Sequence, residues 1–585
     1  MPMSGEWTSA SANGLRSDSM PVGRFRAEDL LPAIVLVALA FKFLLVFRIN
    51  INWDEFYFLS LVHDYLRGTL NGRFQTLHVH LFTWLPTLHT DEAEQIIAGR
   101  LVMAATAAAS ALLLYGIARR FLSRAGALFG VLAYLSTTVV VEHGTSFRTD
   151  PIATLLVLLS LYLILRKPGG TASMAIAGIA MAAAMLITIK SVFYLLVIGA
   201  TIPALTSGIR GCIRAALAFA LPFALALAAG YMLHAASLAE TVPPSATGFL
   251  RGTASKVFLK DGLFPRWADF VMVVAYNPLF WFMAIHGAAI ASRAARANAK
   301  TVGWEAWLPL ILALPLLTPF FYRNAFAYYY VFILPPASIL IGLSFEAFRR
   351  RAADPADRRA ALFSPILVTL QCVIFAAGIF RLLPDQIEPQ RATLAAVHEV
   401  FPHPVPYIDG YGVVASFQRH GFFMSSWGMD GYHDAGRPVY PALVARAQPP
   451  LLLADSPSLY AALIPDVTVA ERRVLLPEDI AFLKENYLQH WGMLFVAGKR
   501  IELPASGDPA AFDIAVAGAY RLEAAAAVTI DGKRQEPRDV VTLAIGRHSL
   551  EAGTMTGEVV LRWAAALPPP PGEPPSLMAF FGAKS

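Results

Sequence analysis

From residue 30 to about residue 383 the chain alternates long apolar stretches with short polar ones, and after Pro384 that pattern stops. A helix needs about 20 apolar residues to cross about 30 Å of hydrocarbon. A window of that size predicts eleven spans, at 30–48, 97–117, 124–141, 151–166, 172–189, 191–207, 214–235, 268–291, 305–321, 328–347 and 362–382. Beyond them, short apolar runs at Val405–Ile408, Leu451–Ala454 and Leu494–Val496 predict an α/β region over 384–504. Alternation then takes over in Phe512–Val516, Tyr520–Glu523, Val528–Lys533 and Gly557–Trp563, which predicts a β-sandwich over 505–567 with Asp531-Gly532 as a hairpin turn. The run Pro568–Pro571 opens a tail, 568–585, expected to be disordered. Residues 1–29 are polar, and no small-residue cleavage site follows Leu30–Phe47, so that span reads as a retained anchor and not a signal peptide. The expected fold class is a polytopic α-helical membrane protein of about eleven transmembrane helices (30–383) carrying a C-terminal extracytoplasmic soluble region, α/β then β-sandwich.

Composition agrees: mean hydropathy is +0.53 and 15% of residues are charged, too apolar for a soluble protein of 585 residues. Charge placement sets the orientation. Basic clusters recur in alternate loops, at Arg119, Arg120 and Arg124; Arg166 and Lys167; Arg210 and Arg214; Arg293, Arg296 and Lys300; and Arg349–Arg351. The positive-inside rule puts these loops and the N-terminus in the cytoplasm. An odd number of spans then leaves the C-terminal region outside, together with the segments 49–96, 142–150, 237–267 and 322–327. The basic clusters read as topological anchors and call for no nucleic acid. The two cysteines, Cys212 and Cys372, suggest neither a disulfide nor a metal site. No Gly-rich phosphate loop occurs, which leaves a cytoplasmic nucleotide site without support. The Arg- and Ala-rich composition suits a bacterial plasma (inner) membrane.

Two acidic motifs fall on the outward face. Asp54 and Glu55 follow the first span within Asn52–Tyr57, and Asp150 lies in Arg148-Thr149-Asp150-Pro151. A charge at membrane depth costs about 2.5–3.5 kcal/mol even on insertion scales, so two such sites on one face point to a reaction centre or an ion path. Adjacent acids point in different directions, so one of the pair is expected to serve as a base. The flanking Trp53, Phe56, Tyr57 and Phe58 would desolvate it toward a useful pKa. Arg148 is placed to pair with Asp150, and His143 and Glu142 share the segment. Lys190, between two apolar stretches, and Arg323, followed by Tyr328-Tyr329-Tyr330, supply cations and hydroxyl donors suited to a phosphate. The alternate spacing of His78 and His80 could put both rings on one side of a strand, a weak metal signal without a third ligand. The residues fix no cofactor; a divalent cation, if used, would sit at Asp54 and Asp150.

In order and spacing these motifs resemble the glycosyltransferase C superfamily, over about residues 30–350. The nearer likeness is to the branch holding protein O-mannosyltransferases and the lipid A aminoarabinose and galacturonic acid transferases. The features are Asp54-Glu55 after span one, Arg148-x-Asp150-Pro151 opening a later span, Thr188-x-Lys190 after a Gly/Ala-rich span, the tyrosine run entering Leu334-Pro335-Pro336, and Arg100 opening span two. The resemblance implies a sugar carried on a polyprenyl phosphate, transferred with inversion to an acceptor hydroxyl on a lipid, glycan or protein. It implies Asp54 as general base, Lys190, Arg323 and Arg100 on the donor phosphate with Tyr329 among the hydroxyls nearby, and Asp150 orienting the acceptor. Arg148, His143, His78 and His80 would be supporting residues. The rival reading is a transporter or lipid-linked glycan flippase. It would place charges at span centres and show inverted repeats, whereas the candidate acids lie at span ends and no repeat relates the two halves.

Overall fold

The computed structural model describes residues 27–581 apart from 71, 239–261, 299, 353–361, 466, 505, 554 and 566–571. Most of the 1–29 tail, most of the 237–267 segment and the four-proline run lie outside the described residues.

Each of the eleven predicted windows holds a helix or a broken helix pair. Among the described residues five helices are long and apolar enough to cross a membrane alone: Glu92–Ala118, Thr149–Arg166, Gly208–Ala236, Ala327–Arg351 and Phe363–Leu382. The number becomes seven if each of two bent pairs, Trp267–Tyr276 with Pro278–Asn298 and Gly303–Leu312 with Leu314–Phe320, is one span. The remaining windows hold the shorter helices Leu31–Leu45, Arg124–Ser136, Thr171–Ile187 and Ile189–Leu205. The count of eleven is therefore one of apolar windows, several of them too short to cross unaided.

Burial sorts these helices. In Ala327–Arg351, 83% of the apolar window is buried, against 11% in Gly208–Ala236. The latter turns Ile209, Ile213, Leu217, Leu221 and Leu225, four residues apart and each at least half exposed, outward as a lipid-facing stripe. The central helix contains Pro335 and Pro336, which cannot donate to the carbonyls four residues earlier. Tyr134 and Tyr194 fill in, their hydroxyls donating to the Val331 and Phe332 carbonyls at 3.1 and 2.6 Å. In hydrocarbon every freed backbone acceptor needs such a replacement.

The segment 49–96 is largely helical: Trp53–Leu66, Val79–Phe82 and Leu85–Leu88 precede Glu92–Ala118. The C-terminal region covers it. Here a helix, Glu388–Val400, leads into strands β1 (Pro406–Ile408), β2 (Gln418–His420) and β3 (Leu451–Leu453), then β4 (Tyr487–Trp491) and β5 (Leu494–Leu503). The rest is β6 (Ala510–Ile514), β7 (Gly518–Glu523), β8 (Val528–Ile530), β9 (Lys533–Gln535), β10 (Val540–Leu543), β11 (Gly546–Glu551) and β12 (Gly557–Trp563).

One sheet runs β10-β7-β12-β5-β3-β1-β2 with β4 added on β5, and a second runs β6-β11-β8-β9. β1 is parallel to β2 and β3, as the α/β expectation requires. The boundary expected at 505 is not a break between sheets. The first half of β5 pairs with β3 and β4 and its second half with β12, so a single sheet joins the two parts. Asp531 (φ 49°) and Gly532 (φ 77°) make the two-residue turn between β8 and β9, with the positive φ values such a turn demands.

The tail also departs from expectation, because Leu577–Phe581 is a helix that packs on Trp53–Leu66. Phe580 is fully buried, its ring 6.1 Å from Phe56, and the Asn50 side chain donates to the Phe581 carbonyl at 2.5 Å.

Candidate active site

Asn52 starts the helix Trp53–Leu66. Its side chain accepts from the Asp54 N–H at 3.0 Å, and the Glu55 side chain accepts from the Asn52 N–H at 3.0 Å. This reciprocal cap holds the two acids in the first turn, about 100° apart around the helix.

Glu55 turns inward and is 1% exposed. Arg100 grips it through Nη2 at 2.6 Å and Nε at 2.7 Å, and the Phe147 N–H adds a bond of 2.6 Å. Phe147 can come this close because its ring lies over Gly99, where a Cβ would fall 2.4 Å from it. The other Arg100 donors go to the carbonyls of Val46, Ile49 and Asn50 at 3.2, 2.7 and 2.8 Å. Burial works to raise the Glu55 pKa, but the Arg100 charge and these hydrogen bonds outweigh it and hold the carboxyl below its ordinary range. The expectation of a catalytic Glu55 and a phosphate-binding Arg100 gives way here. All five guanidinium N–H groups and both carboxylate oxygens are engaged, and the pair braces 46–50 against two helices.

Asp54 faces the other way. Its Oδ2 is ion-paired with Arg148 Nη1, and Arg148 Nε lies 3.3 Å from Asp150 Oδ2. Lys190 Nζ donates to Asp150 Oδ1 at 2.7 Å. The result is a chain of alternating sign, Asp54–Arg148–Asp150–Lys190. Tyr328 lies under both cations, its ring centre 3.6 Å from the Arg148 guanidinium carbon and 5.2 Å from Lys190 Nζ. Arg148 is held well above its ordinary pKa, since burial opposes its charge but Asp54, Tyr328 and Asp150 more than offset that. The side chains of Asp54 and Lys190 are each 12% exposed, against 4% for Asp150 and 5% for Arg148. The ends of the chain can be reached and its middle cannot.

Local sequence explains the convergence. Asp150 is in the first turn of Thr149–Arg166 beside Pro151, where a helix tolerates proline and favours an acid. Extended Thr188 interrupts the helical course after Ile187, and the 3-10 turn Ile189–Val192 that follows presents Lys190.

Residues 79–233 match the model of the dolichyl-phosphate-mannose-protein mannosyltransferase family. Among solved structures, ArnT from Cupriavidus metallidurans bound to undecaprenyl phosphate aligns with TM-score 0.51 at 15% identity, over 76% of this chain and 96% of that one. At that identity the likeness to ArnT is one of fold. The oligosaccharyltransferase AglB from Archaeoglobus fulgidus aligns with TM-score 0.47 at 11% identity (88% of this chain, 76% of that one). The S. cerevisiae protein O-mannosyltransferase Pmt1-Pmt2 complex aligns with TM-score 0.31 at 18% identity (43% and 37%). No curated protein matches the chain in sequence.

The other expected site residues are distributed unevenly. Arg323 donates to Asp430 of the C-terminal region at 2.9 Å and lies 4.9 Å from the Trp427 ring centre. The Tyr329 hydroxyl is buried against Thr318 at 2.7 Å with its ring centre 6.0 Å from Lys190 Nζ, and its neighbour Tyr328 meets both cations. His143 stands edge-on to Tyr328 at 6.4 Å and 3.9 Å from Glu142. His78 and His80 belong to a helical turn and not a strand, which separates them. His78 is buried against Phe58 at 5.1 Å, while His80 Nε2 lies 2.8 Å from His234 Nδ1. Among the described residues no three His, Cys, Asp or Glu side chains are grouped to hold a metal ion. Asp54 and Asp150, where a divalent cation would be expected, have the Arg148 guanidinium between them.

Three features escaped the sequence reading. Arg148 serves Asp54 as well as Asp150, a contact between residues 94 positions apart. Lys42 is buried inside the first span, donating to the Val140 carbonyl at 2.5 Å; a lone lysine within an apolar run was the signal for it. The C-terminal region roofs the site: Tyr411 stacks on Trp53 at 5.1 Å and Phe423 meets Tyr57 at 4.1 Å. Nothing in those distant segments marks that role.

Proposed function

We propose that this membrane glycosyltransferase moves a sugar from a polyprenyl phosphate-linked donor to an acceptor hydroxyl at the outer face of the membrane, with Asp54 as general base. The observation that carries this is the alternating chain itself. It offers one reachable carboxylate, Asp54, at one end and one reachable ammonium, Lys190, at the other, with the fixed pair Arg148–Asp150 between. The likeness to a protein crystallised with undecaprenyl phosphate, and to a family described by dolichyl-phosphate-mannose, supports the donor class.

In this reading the acceptor oxygen bonds to the anomeric carbon as the C–O bond to phosphate breaks. The bonding electrons leave with the phosphate, the hydroxyl proton passes to Asp54, and the configuration inverts. A phosphate leaving group needs charge stabilisation more than an acid, and Lys190 supplies it. Arg323 would join by exchanging Asp430 for the phosphate. Arg148, ion-paired with Asp54, fixes the direction in which that carboxylate faces. Asp150 anchors both cations, so its part is positioning.

The test is transfer by Asp54→Asn in native membranes, with polyprenyl phosphate sugars as donors and gel filtration as the fold check. Turnover is expected to fall by about 10²–10⁴ with donor binding retained. Full activity would overturn the assignment.

A further inference from the structure

On the C-terminal region a groove of about 500 Å³ opens between Gly421–Phe422, the helix Ser426–Ala435 and the helix Tyr440–Ala447. One wall is a stacked aromatic pair, Phe422 and Tyr432, with centroids 5.0 Å and planes 16° apart. Arg437 and Arg446 line the same groove, both exposed, and neither has a hydrogen bond or carboxylate partner among the described residues.

The walls are fixed from behind by Asp479, which is fully buried. Tyr432 donates to it at 2.6 Å, and the N–H groups of Val439 and Tyr440 reach it at 3.0 and 2.9 Å. One buried carboxylate thus sets both the aromatic wall and the turn that follows Arg437.

Gly431 gives a second, independent indication. A helix interior is a poor place for glycine, and packing does not demand one here, since a Cβ at Gly431 would meet no atom within 4 Å. The space in front of it is the groove.

A flat aromatic wall suits the C–H face of a sugar, guanidinium forks suit a carboxylate or phosphate, and the volume lies in the range of small-ligand sites. We infer that this groove binds an anionic saccharide, a sugar bearing a carboxylate or phosphate, as part of the acceptor. The word acceptor rests on the transferase reading; the binding does not. Another face of the same helix meets the segment of Arg323, the cation that the transferase reading brings to the donor phosphate. Trp427 Nε1 donates to Asn324 at 3.1 Å, and Asp430 accepts from Arg323. A saccharide in the groove is therefore held on the helix that pairs with that cation.

The experiment is calorimetric titration of the full chain in detergent with three probes: a uronic-acid disaccharide, its carboxyl-reduced neutral form, and inorganic phosphate. The acidic disaccharide is expected to bind at least tenfold more tightly than the other two. Arg437→Ala/Arg446→Ala should weaken it at least tenfold, and so should Gly431→Leu, whose Cβ meets no atom within 4 Å and whose side chain enters the groove. Equal binding of the neutral form, phosphate binding as tight as the disaccharide, or an unaffected Gly431→Leu would each overturn the inference, as would no binding at all. Because binding is read without turnover, failure here leaves the Asp54 test standing, and failure of that test leaves this one.

Discussion

At the membrane site Asp54 and Asp150 each lie against a cation, with Arg148 between them and Lys190 beyond, whereas Asp409 and Asp455 of the C-terminal region are fully buried and accept backbone N–H groups. Asp455 takes those of Gly410 at 2.7 Å and Tyr411 at 3.1 Å, and Asp409 takes that of Val413 at 2.8 Å. Burial pushes both of the latter acids above the ordinary carboxylate range, and the nearness of Asp409 pushes Asp455 further. The first cluster sets each acid against a cation and suits chemistry. The second is pushed toward its neutral form and works as a knot, folding the 409–413 loop so that Tyr411 stacks on Trp53, the residue before Asp54. Burial alone does not decide what a carboxylate does; its partners do.

The sharpest way to break this contrast is to take a cation from each cluster. Arg148→Ala would leave Asp54 and Asp150 buried without their shared partner, and removing one member of a buried ion pair costs about 3–5 kcal/mol. The detergent-solubilised protein should unfold at markedly lower temperature and lose transfer. Arg419→Ala removes the cation whose charge acts on Asp409 and Asp455, but burial already pushes those acids toward the neutral form, so it should change stability by about 1 kcal/mol or less. Equal losses from the two substitutions would erase the distinction.

A smaller effect tests the protonated knot directly. A carboxyl whose folded pKa is raised stabilises the fold fully below the ordinary carboxylate range, and that contribution is lost as pH rises through the raised value. Each unit of difference is worth about 1.4 kcal/mol. Wild-type stability should therefore decline over that interval, and Asp455→Asn, which cannot ionise, should flatten the decline. A variant with the wild-type pH profile would show that Asp455 is ionised in the fold.

Much of the membrane half was legible in the sequence because hydrocarbon leaves few choices: spans must be helical and apolar, and charges at their ends stand out. That logic found Asp54, Asp150, Arg148 and Lys190, and the rule that adjacent helical acids diverge separated Asp54 from Glu55. It could not tell which cation met which acid. Arg100 sits inside an apolar run just as a phosphate ligand would, yet Glu55 and three carbonyls take all its donors. In the C-terminal region β alternation located strands, but pairing is non-local, so the continuity of β5 across residue 498 could not be read from spacing. The helix Leu577–Phe581 was hidden for a similar reason: five residues after a proline run have no periodicity of their own, and Phe56 supplies their burial.

The mildest test concerns how the two halves are held together. His398, on Glu388–Val400, lies 2.9 Å from Glu92 at the start of Glu92–Ala118, and Glu92 also accepts from the Ser416 hydroxyl at 2.5 Å. Burial works to lower the His398 pKa, but the hydrogen bond and charge of Glu92 prevail and raise it. The contribution of this pair is therefore complete below the ordinary histidine value of about 6.5 and is lost as pH rises through the higher folded value. The imidazole is 30% exposed, so solvent screens the pair and its worth should be about 1 kcal/mol or less. Hydrogen exchange over residues 388–400 should quicken between pH 6 and pH 9 in the wild type. In His398→Gln, which keeps a donor but cannot titrate, the intrinsic exchange rate alone should set the change. The same pH response in both proteins would mean that the halves are joined by the packing of Tyr411, Phe423 and Phe580, and not by this charge.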